Sequence, residues 1–137
     1  MIWKESGETE NLLQQKSFKF FYMKKPYFKF LKHGFFDDKK GEDITIIDIS
    51  EISVLADYFI IAGGSNRSQI QAMADNVDEC VSKNGGTLKQ IEGYDAGNWV
   101  LLDFQDIIVH IFDKENRLFY DLERIWRDGK IIEVKDL

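Results

Sequence analysis

Hydrophobic and polar positions fall into a regular order from residue 43 to residue 127. Two apolar runs, residues 43–50 and 56–63, have the length and isoleucine content of buried strands. A helix is predicted next, because apolar residues recur at spacings of three and four. These are Ile70, Met73, Ala74, Val77 and Val81. Ser65 is the predicted N-cap of this helix, and residues 84–86 (Asn-Gly-Gly) end it.

Residues 98–113 contain two apolar runs on either side of Gln105 and Asp106, which predicts a tight antiparallel hairpin. A two-residue turn places Phe104 opposite Ile107. One face of the hairpin is then wholly apolar and is the predicted core face: Val100, Leu102, Phe104, Ile107, Val109 and Ile111. The other face mixes aromatic rings with a carboxylate and an imidazole: Trp99, Leu101, Asp103, Ile108, His110 and Phe112. Asp103 indicates that part of this second face meets water.

A weaker strand is predicted over residues 87–93, and a closing helix over residues 114–127. Asp113 is its predicted N-cap and Gly129 its stop. The predicted apolar stripe of this helix is Leu118, Leu122, Ile125 and Trp126. Glu123 and Arg127 are spaced for an i,i+4 ion pair. Together the elements predict the α/β class, with a mixed sheet of about five strands and flanking helices.

The composition is that of an ordinary globular domain, with 137 residues of which 44% are apolar and 31% charged. No apolar run reaches the roughly 18–20 residues that a membrane span requires, and the polar start predicts no secretory signal. Cys80 is the single cysteine, so no disulfide within the chain is expected and a reducing, cytoplasmic location is predicted. One cysteine and two histidines also argue against a structural zinc site.

Charge divides the chain in two. Through residue 40 there are nine lysines against five acidic residues, and after it nine basic against nineteen acidic residues. The acidic body disfavours direct binding to the phosphate backbone, so no direct sequence-specific nucleic-acid partner is predicted, and it favours a basic protein surface. Residues 1–36 form an atypical aromatic and basic segment, set apart from a domain predicted over residues 37–137. We favour a terminal helix or arm that packs its rings on the body; contact with single-stranded nucleic acid or a lipid surface stays open.

A strand, a turn of Gly63, Gly64 and Ser65, and a new helix are the parts of a phosphate-binding loop. A P-loop also needs a lysine after its glycines, and this turn carries Arg67 instead. A nucleotidyltransferase needs Asp-x-Asp on the following strand to hold magnesium, and residues 87–93 contain no such pair. A helix-capping turn is therefore favoured. A nucleotide-binding enzyme that uses this turn is the alternative.

Other candidate chemistry is weaker still. His110 and Asp103 are diagonal neighbours in the predicted hairpin, which favours a hydrogen-bonded structural pair over a catalytic dyad, because no nucleophile stands beside them. Cys80 lies near the apolar stripe of the first helix and is predicted to be a small buried residue. No catalytic residue, metal or cofactor is predicted.

Three segments resemble the ribosomal silencing factor family, also called Iojap-like proteins. They are residues 55–77 (LADYFIIAGGSNRSQIQAMADNV), 93–112 (GYDAGNWVLLDFQDIIVHIF) and 117–126 (RLFYDLERIW). The similarity covers roughly residues 37–126, and the order of the segments is more specific than any one of them. The family usually begins with an ordinary amphipathic helix, whereas this chain has the aromatic and lysine-rich segment there.

The resemblance implies a non-enzymatic domain with a nucleotidyltransferase-like topology that lacks the catalytic acids. It further implies binding to the fourteenth protein of the large ribosomal subunit, which blocks joining of the small subunit and lowers translation when nutrients are short. The family's partner-contacting positions correspond to Trp99 and Phe104, although alternation places Phe104 on the core face. Asp103 and Asp106 are the expected acidic rim for a basic partner. No membrane partner is expected, and a homodimer stays open.

Overall fold

The computed structural model describes residues 42–132. The strands are β1 (Glu42–Asp48), β2 (Tyr58–Gly64), β3 (Gln90–Glu92), β4 (Trp99–Asp103), β5 (Ile107–Asp113) and β6 (Lys130–Ile132). The helices are α1 (Arg67–Lys83), α2 (Lys114–Tyr120) and α3 (Leu122–Ile125). The predicted N-terminal segment, residues 1–36, and the domain boundary after it lie outside the described residues.

The described strands form one six-stranded mixed sheet in the order β3-β4-β5-β2-β1-β6. β2 and β5 pair in parallel, and the other neighbours pair antiparallel. The α/β class and the mixed sheet are therefore confirmed. The sixth strand was not predicted: β6 pairs with β1 at the edge, with Ile47 opposite Ile131.

The β4–β5 hairpin has the predicted register, with Trp99 opposite Phe112 and Asp103 opposite Ile108. The turn is formed by Gln105 and Asp106, and the Phe104 amide donates to the Ile107 carbonyl over 2.9 Å. Gln105 adopts a positive φ of 76°. The predicted core face is also confirmed. All six of its side chains are buried: Val100, Leu102, Phe104, Ile107, Val109 and Ile111.

Helix α1 covers this core face with the predicted stripe, all of it buried: Ile70, Met73, Ala74, Val77 and Val81. The predicted N-cap was wrong by one residue. Asn66, not Ser65, caps the helix, and its side chain accepts from the Gln69 amide over 2.9 Å. Both residue types cap helices well, so the sequence does not separate them. Cys80 is partly buried against the same core.

The closing helix was predicted to be continuous, and this prediction was wrong. The helix breaks at Asp121, which adopts a left-handed conformation with φ 48° and ψ 55°. The predicted N-cap Asp113 is confirmed and accepts from the Asn116 amide over 2.8 Å. Because of the break, Glu123 pairs with Arg117 over 2.9 Å, not with Arg127 as predicted.

The second face of the sheet carries its own buried cluster: Ile47, Ile49, Ala56, Phe59, Ile61, Ile108 and Phe112. Leu122 and Trp126, from α3 and the residue after it, pack against this cluster. Leu118 and Ile125 do not, and both are exposed. Half of the predicted apolar stripe of the closing helix therefore faces outward.

Candidate protein-interaction site

Trp99 begins strand β4 and points to the second face of the sheet, where it is half-buried. Its indole stacks on Phe112 at a centroid distance of 4.9 Å and contacts Tyr120 of α2 at 4.5 Å. These rings belong to an aromatic cluster that runs across this face: Phe59, Trp99, His110, Phe112, Tyr120 and Trp126. Trp99 is thus held in place by its neighbours while the residue stays partly exposed.

The Trp99 indole Nε1–H donates to His110 Nδ1 over 3.1 Å. Nδ1 can accept only when the imidazole is neutral with its proton on Nε2. His110 is 4% exposed, and its Nε2 has no hydrogen-bond partner in the described part of the protein. Burial of the ring lowers the pKa of His110 to about 4. The neutral form, which orients Trp99, is therefore the one that the fold favours.

The predicted pair of His110 with Asp103 was wrong. Each residue in a strand has two diagonal neighbours on the paired strand. For His110 these are Trp99 and Asp103, and the indole makes the bond. The Asp103 carboxylate instead accepts from the Gln105 amide over 2.7 Å. Asp103 therefore stabilises the hairpin turn, and His110 bonds to Trp99 instead.

The four predicted partner-binding residues do not form one compact group. Phe104 is 5% exposed and packs in the core on the α1 side, so it offers little surface to a partner. Asp103 and Asp106 are half-buried at the turn end of the hairpin. Trp99 lies at the opposite end of β4, about 13 Å away at the usual rise of a strand. The predicted acidic rim therefore does not surround Trp99.

The sequence reasoning missed an exposed apolar group on α2, of which Tyr120 contacts Trp99. Leu118, Phe119 and Tyr120 are 72%, 78% and 40% exposed, and we refer to them as the α2 surface. A second exposed apolar group, Ile52, Val54 and Leu55, lies in the loop between β1 and β2. The helical stripe prediction placed Leu118 in the core. Three consecutive large apolar residues in a short helix were the signal, since one helix face cannot bury all three.

At the glycine turn before α1, side chains of the protein itself fill the space beside the backbone and bond to its amides. A Cβ on Gly64 would lie 2.5 Å from Ile70 Cγ1, so this glycine allows α1 to pack closely on β2. The Gln69 side chain accepts from the Ser65 amide, and Asn66 accepts from the Gln69 amide. A Cβ on Gly97 would overlap the Arg67 stem, so the loop before β4 also covers this end of the helix. Helix capping and close packing account for the turn.

The strand that follows α1 is β3, with the sequence Gln-Ile-Glu, and it carries no paired carboxylates. Within residues 42–132 no three or more His, Cys, Asp or Glu side chains are grouped to hold a metal ion. None of the described helices is long and apolar enough to cross a membrane. What the described residues do form is an aromatic cluster around the half-buried Trp99.

Comparison with known proteins identifies the family. The family model described as "Ribosomal silencing factor during starvation" matches residues 32–137. The chain belongs to the ribosomal silencing factor family. The ribosomal silencing factor RsfS of Bacillus subtilis is 41% identical over 98 residues, which are 72% of this chain and 83% of that protein.

Other matches extend the comparison. The mouse protein named mitochondrial assembly of ribosomal large subunit protein 1 is 28% identical over 91 residues, 64% of this chain and 40% of that protein. A crystal structure of a Chromobacterium violaceum protein matches with a TM-score of 0.69 and 30% identity, and covers 79% of this chain and 88% of that chain. The ribosomal silencing factor family and the mixed α/β fold expected from the sequence are thus both confirmed.

Proposed function

We propose that this protein binds the large ribosomal subunit through its fourteenth protein and sterically blocks joining of the small subunit. Translation would fall as a result, as a cytoplasmic response to starvation. The observation that carries the proposal is the family match over residues 32–137. The relative named for assembly of the ribosomal large subunit supports a partner on that subunit. Steric exclusion makes and breaks no covalent bond, so the protein needs no catalytic group.

The alternative, a nucleotide-binding enzyme that uses Gly63, Gly64 and Ser65, has little support. Gly64 accommodates Ile70, and Asn66 and Gln69 occupy amides of the turn and the first helical turn. β3 supplies no carboxylate pair for a metal. Titration calorimetry with nucleoside triphosphates and magnesium separates the two functions. Heat of specific binding at millimolar ligand or below would favour the enzyme, and no heat is expected.

Trp99 is the proposed centre of the contact. Its hydrogen bond to His110 and its ring contacts with Phe112 and Tyr120 hold it in one orientation. A side chain that is ordered before binding loses little conformational entropy when a partner covers it. Tryptophan is also among the residues enriched at the energetic centres of interfaces.

Asp103 and Asp106 are proposed to make a separate acidic contact at the turn end of the hairpin. A typical interface buries about 800 Å² on each partner, which is wide enough to include both ends of β4. Phe104 is proposed to support this contact from beneath, because its buried ring packs in the core under the same turn. The net charge of the chain, −6, is complementary to a basic ribosomal protein.

The proposal is tested by mixing purified small and large ribosomal subunits with and without the protein. We expect the fraction of joined ribosomes in a sucrose gradient to fall as protein is added, and the protein to sediment with the large subunit. Sedimentation with the small subunit alone, or an unchanged joined fraction at saturating protein, would contradict it.

The role of Trp99 is tested by Trp99→Ala, for which we expect a loss of large-subunit affinity of about 2 kcal/mol or more, roughly 30-fold. The matched control is Trp126→Ala. Trp126 is also half-buried and packs on Phe59 at 5.1 Å, so its loss disturbs the same face of the sheet. Equal losses of affinity for the two variants would indicate general destabilisation, not a contact at Trp99.

A further inference from the structure

The α2 surface is the strongest feature that the Trp99 site leaves unexplained. Phe119 and Leu118 are more than two thirds exposed, and Tyr120 beside them is 40% exposed. Burying a side chain of this size stabilises a protein by about 1.5–3 kcal/mol, so single exposed examples are common but adjacent ones mark contact surfaces. The exposed rings of Phe119 and Tyr120, which pack on each other, indicate a surface that another molecule covers.

This surface is continuous with Trp99. The Phe119 ring packs edge-on against Tyr120 at a centroid distance of 5.1 Å, and Tyr120 packs against Trp99 at 4.5 Å. The rings therefore extend from the sheet onto the outer side of α2 without a polar gap. A partner seated on the exposed part of Trp99 meets Tyr120 next and Phe119 after it.

The α2 surface is also held rigidly. Asp113 caps the start of the helix, and Arg117 fixes it from below by donating to Glu123 over 2.9 Å and to the Thr45 hydroxyl over 3.4 Å. The left-handed Asp121 donates its amide to the Arg117 carbonyl over 3.0 Å and so ends the helix directly after Tyr120. The exposed rings thus stand on a fixed support, which keeps the entropic cost of binding small.

We infer that the α2 surface, centred on Phe119, is a second part of the docking site and binds the same large-subunit protein that Trp99 contacts. The inference rests on the proposed function and extends its contact area from the hairpin to α2. Exposed aromatic faces bind the alkyl stems and charged heads of lysine and arginine. A basic protein therefore suits both these rings and the acidic charge of the chain.

The test is the affinity of Phe119→Gln for purified large ribosomal subunits, measured by co-sedimentation over a range of concentrations. Glutamine keeps the helix propensity of the position while it removes the ring. We expect the dissociation constant to rise at least about tenfold. Phe119→Trp should stay within about threefold of the unchanged protein, because an aromatic surface is retained.

Ile131→Gln is the matched control. Ile131 is an apolar residue, 57% exposed, on the edge strand β6, which lies four places from β4 in the sheet and outside both proposed contacts. We expect little change in the dissociation constant for this variant. A loss as large as that of Phe119→Gln would show a general effect of surface polarity and overturn the inference.

The remaining outcomes separate this inference from the proposed function. If Trp99→Ala weakens binding and Phe119→Gln does not, the partner contacts the hairpin alone and only the inference fails. If the unchanged protein does not bind large subunits, both fail. If Phe119→Gln instead dissolves a dimer of the unchanged protein and leaves subunit binding as it was, the α2 surface is a self-contact and the inference is overturned.

Discussion

The bond between Trp99 and His110 links the protein's stability to the orientation of its proposed contact residue. Strand alternation predicted that both side chains share one face, and the structure confirms it. Alternation did not predict the hydrogen bond, because the register gives His110 two equivalent diagonal neighbours, Trp99 and Asp103. Side-chain reach and burial select the indole, and neither can be read from a single sequence.

The stability of the protein should fall in mildly acidic solution because of His110. Its pKa is about 4 in the folded protein and about 6.5 when unfolded, so the unfolded chain binds more protons between these values. The stabilisation is complete above pH 6.5 and is lost as the pH falls. At pH 4 the loss in the free energy of unfolding amounts to about 3 kcal/mol. Protonation of Nδ1 would also remove the acceptor for Trp99.

The measurement is urea unfolding at pH 7 and pH 4 for the unchanged protein and for His110→Phe, which keeps a ring but cannot titrate. We expect the variant to lose about 3 kcal/mol less between the two pH values. Identical pH dependence in the two proteins would show that His110 takes up its proton as readily in the folded protein as in the unfolded chain.

Gly64 gives a second prediction at this scale. Because an added Cβ would press on Ile70 Cγ1, Gly64→Ala should lower the free energy of unfolding by about 1–3 kcal/mol. In an Ile70→Ala background the same change should cost less than about 0.5 kcal/mol, since the clash is gone. Thermal or chemical unfolding of the four proteins of this cycle measures the coupling. An equal cost in both backgrounds would assign Gly64 a role other than packing.

Among the elements, the hairpin and α1 were predictable and the closing segment was not. The hairpin depends on alternation and a two-residue turn, and α1 on a stripe of five buried residues, all of which are local signals. The break at Asp121 depends on a positive φ that the apolar pattern does not record. β6 has three residues and is a strand only because it meets β1, a partner more than 80 positions earlier in the chain.

The break itself can be tested. A β-branched residue cannot adopt φ 48° without strain, whereas glycine adopts it freely. Asp121→Val should therefore lower the free energy of unfolding by about 1–2 kcal/mol. Asp121→Gly and Asp121→Asn should stay within about 0.5 kcal/mol of the unchanged protein. Chemical unfolding of the three variants measures whether their free energies of unfolding follow this order. If Asp121→Val is tolerated, α2 and α3 can join into the continuous helix that the sequence predicted.

At the scale of the whole molecule, a sheet with two buried faces sorts the candidate residues. Alternation predicted which side chains point to each face, and it placed Phe104 correctly in the core. It could not show which side chains of the second face stay accessible, such as the half-buried Trp99 beside the buried Phe112. It also could not show that Leu118 and Phe119 face outward, because exposure is decided by how α2 packs on the finished sheet.

The parallel pair at the middle of the sheet has a consequence for how the chain reaches its native state. Tyr58 lies beside Ile107, 49 positions later, and everything between them must form a closed loop before this ladder can form. Loop closure costs entropy that local elements do not incur. We therefore expect α1 and the hairpin to form early and the joining of β2 to β5 to limit the folding rate. Until β2 and β5 pair, the rings around Trp99 lack the sheet that holds them. We therefore expect the protein to become able to bind its proposed partner only at the last stage of folding.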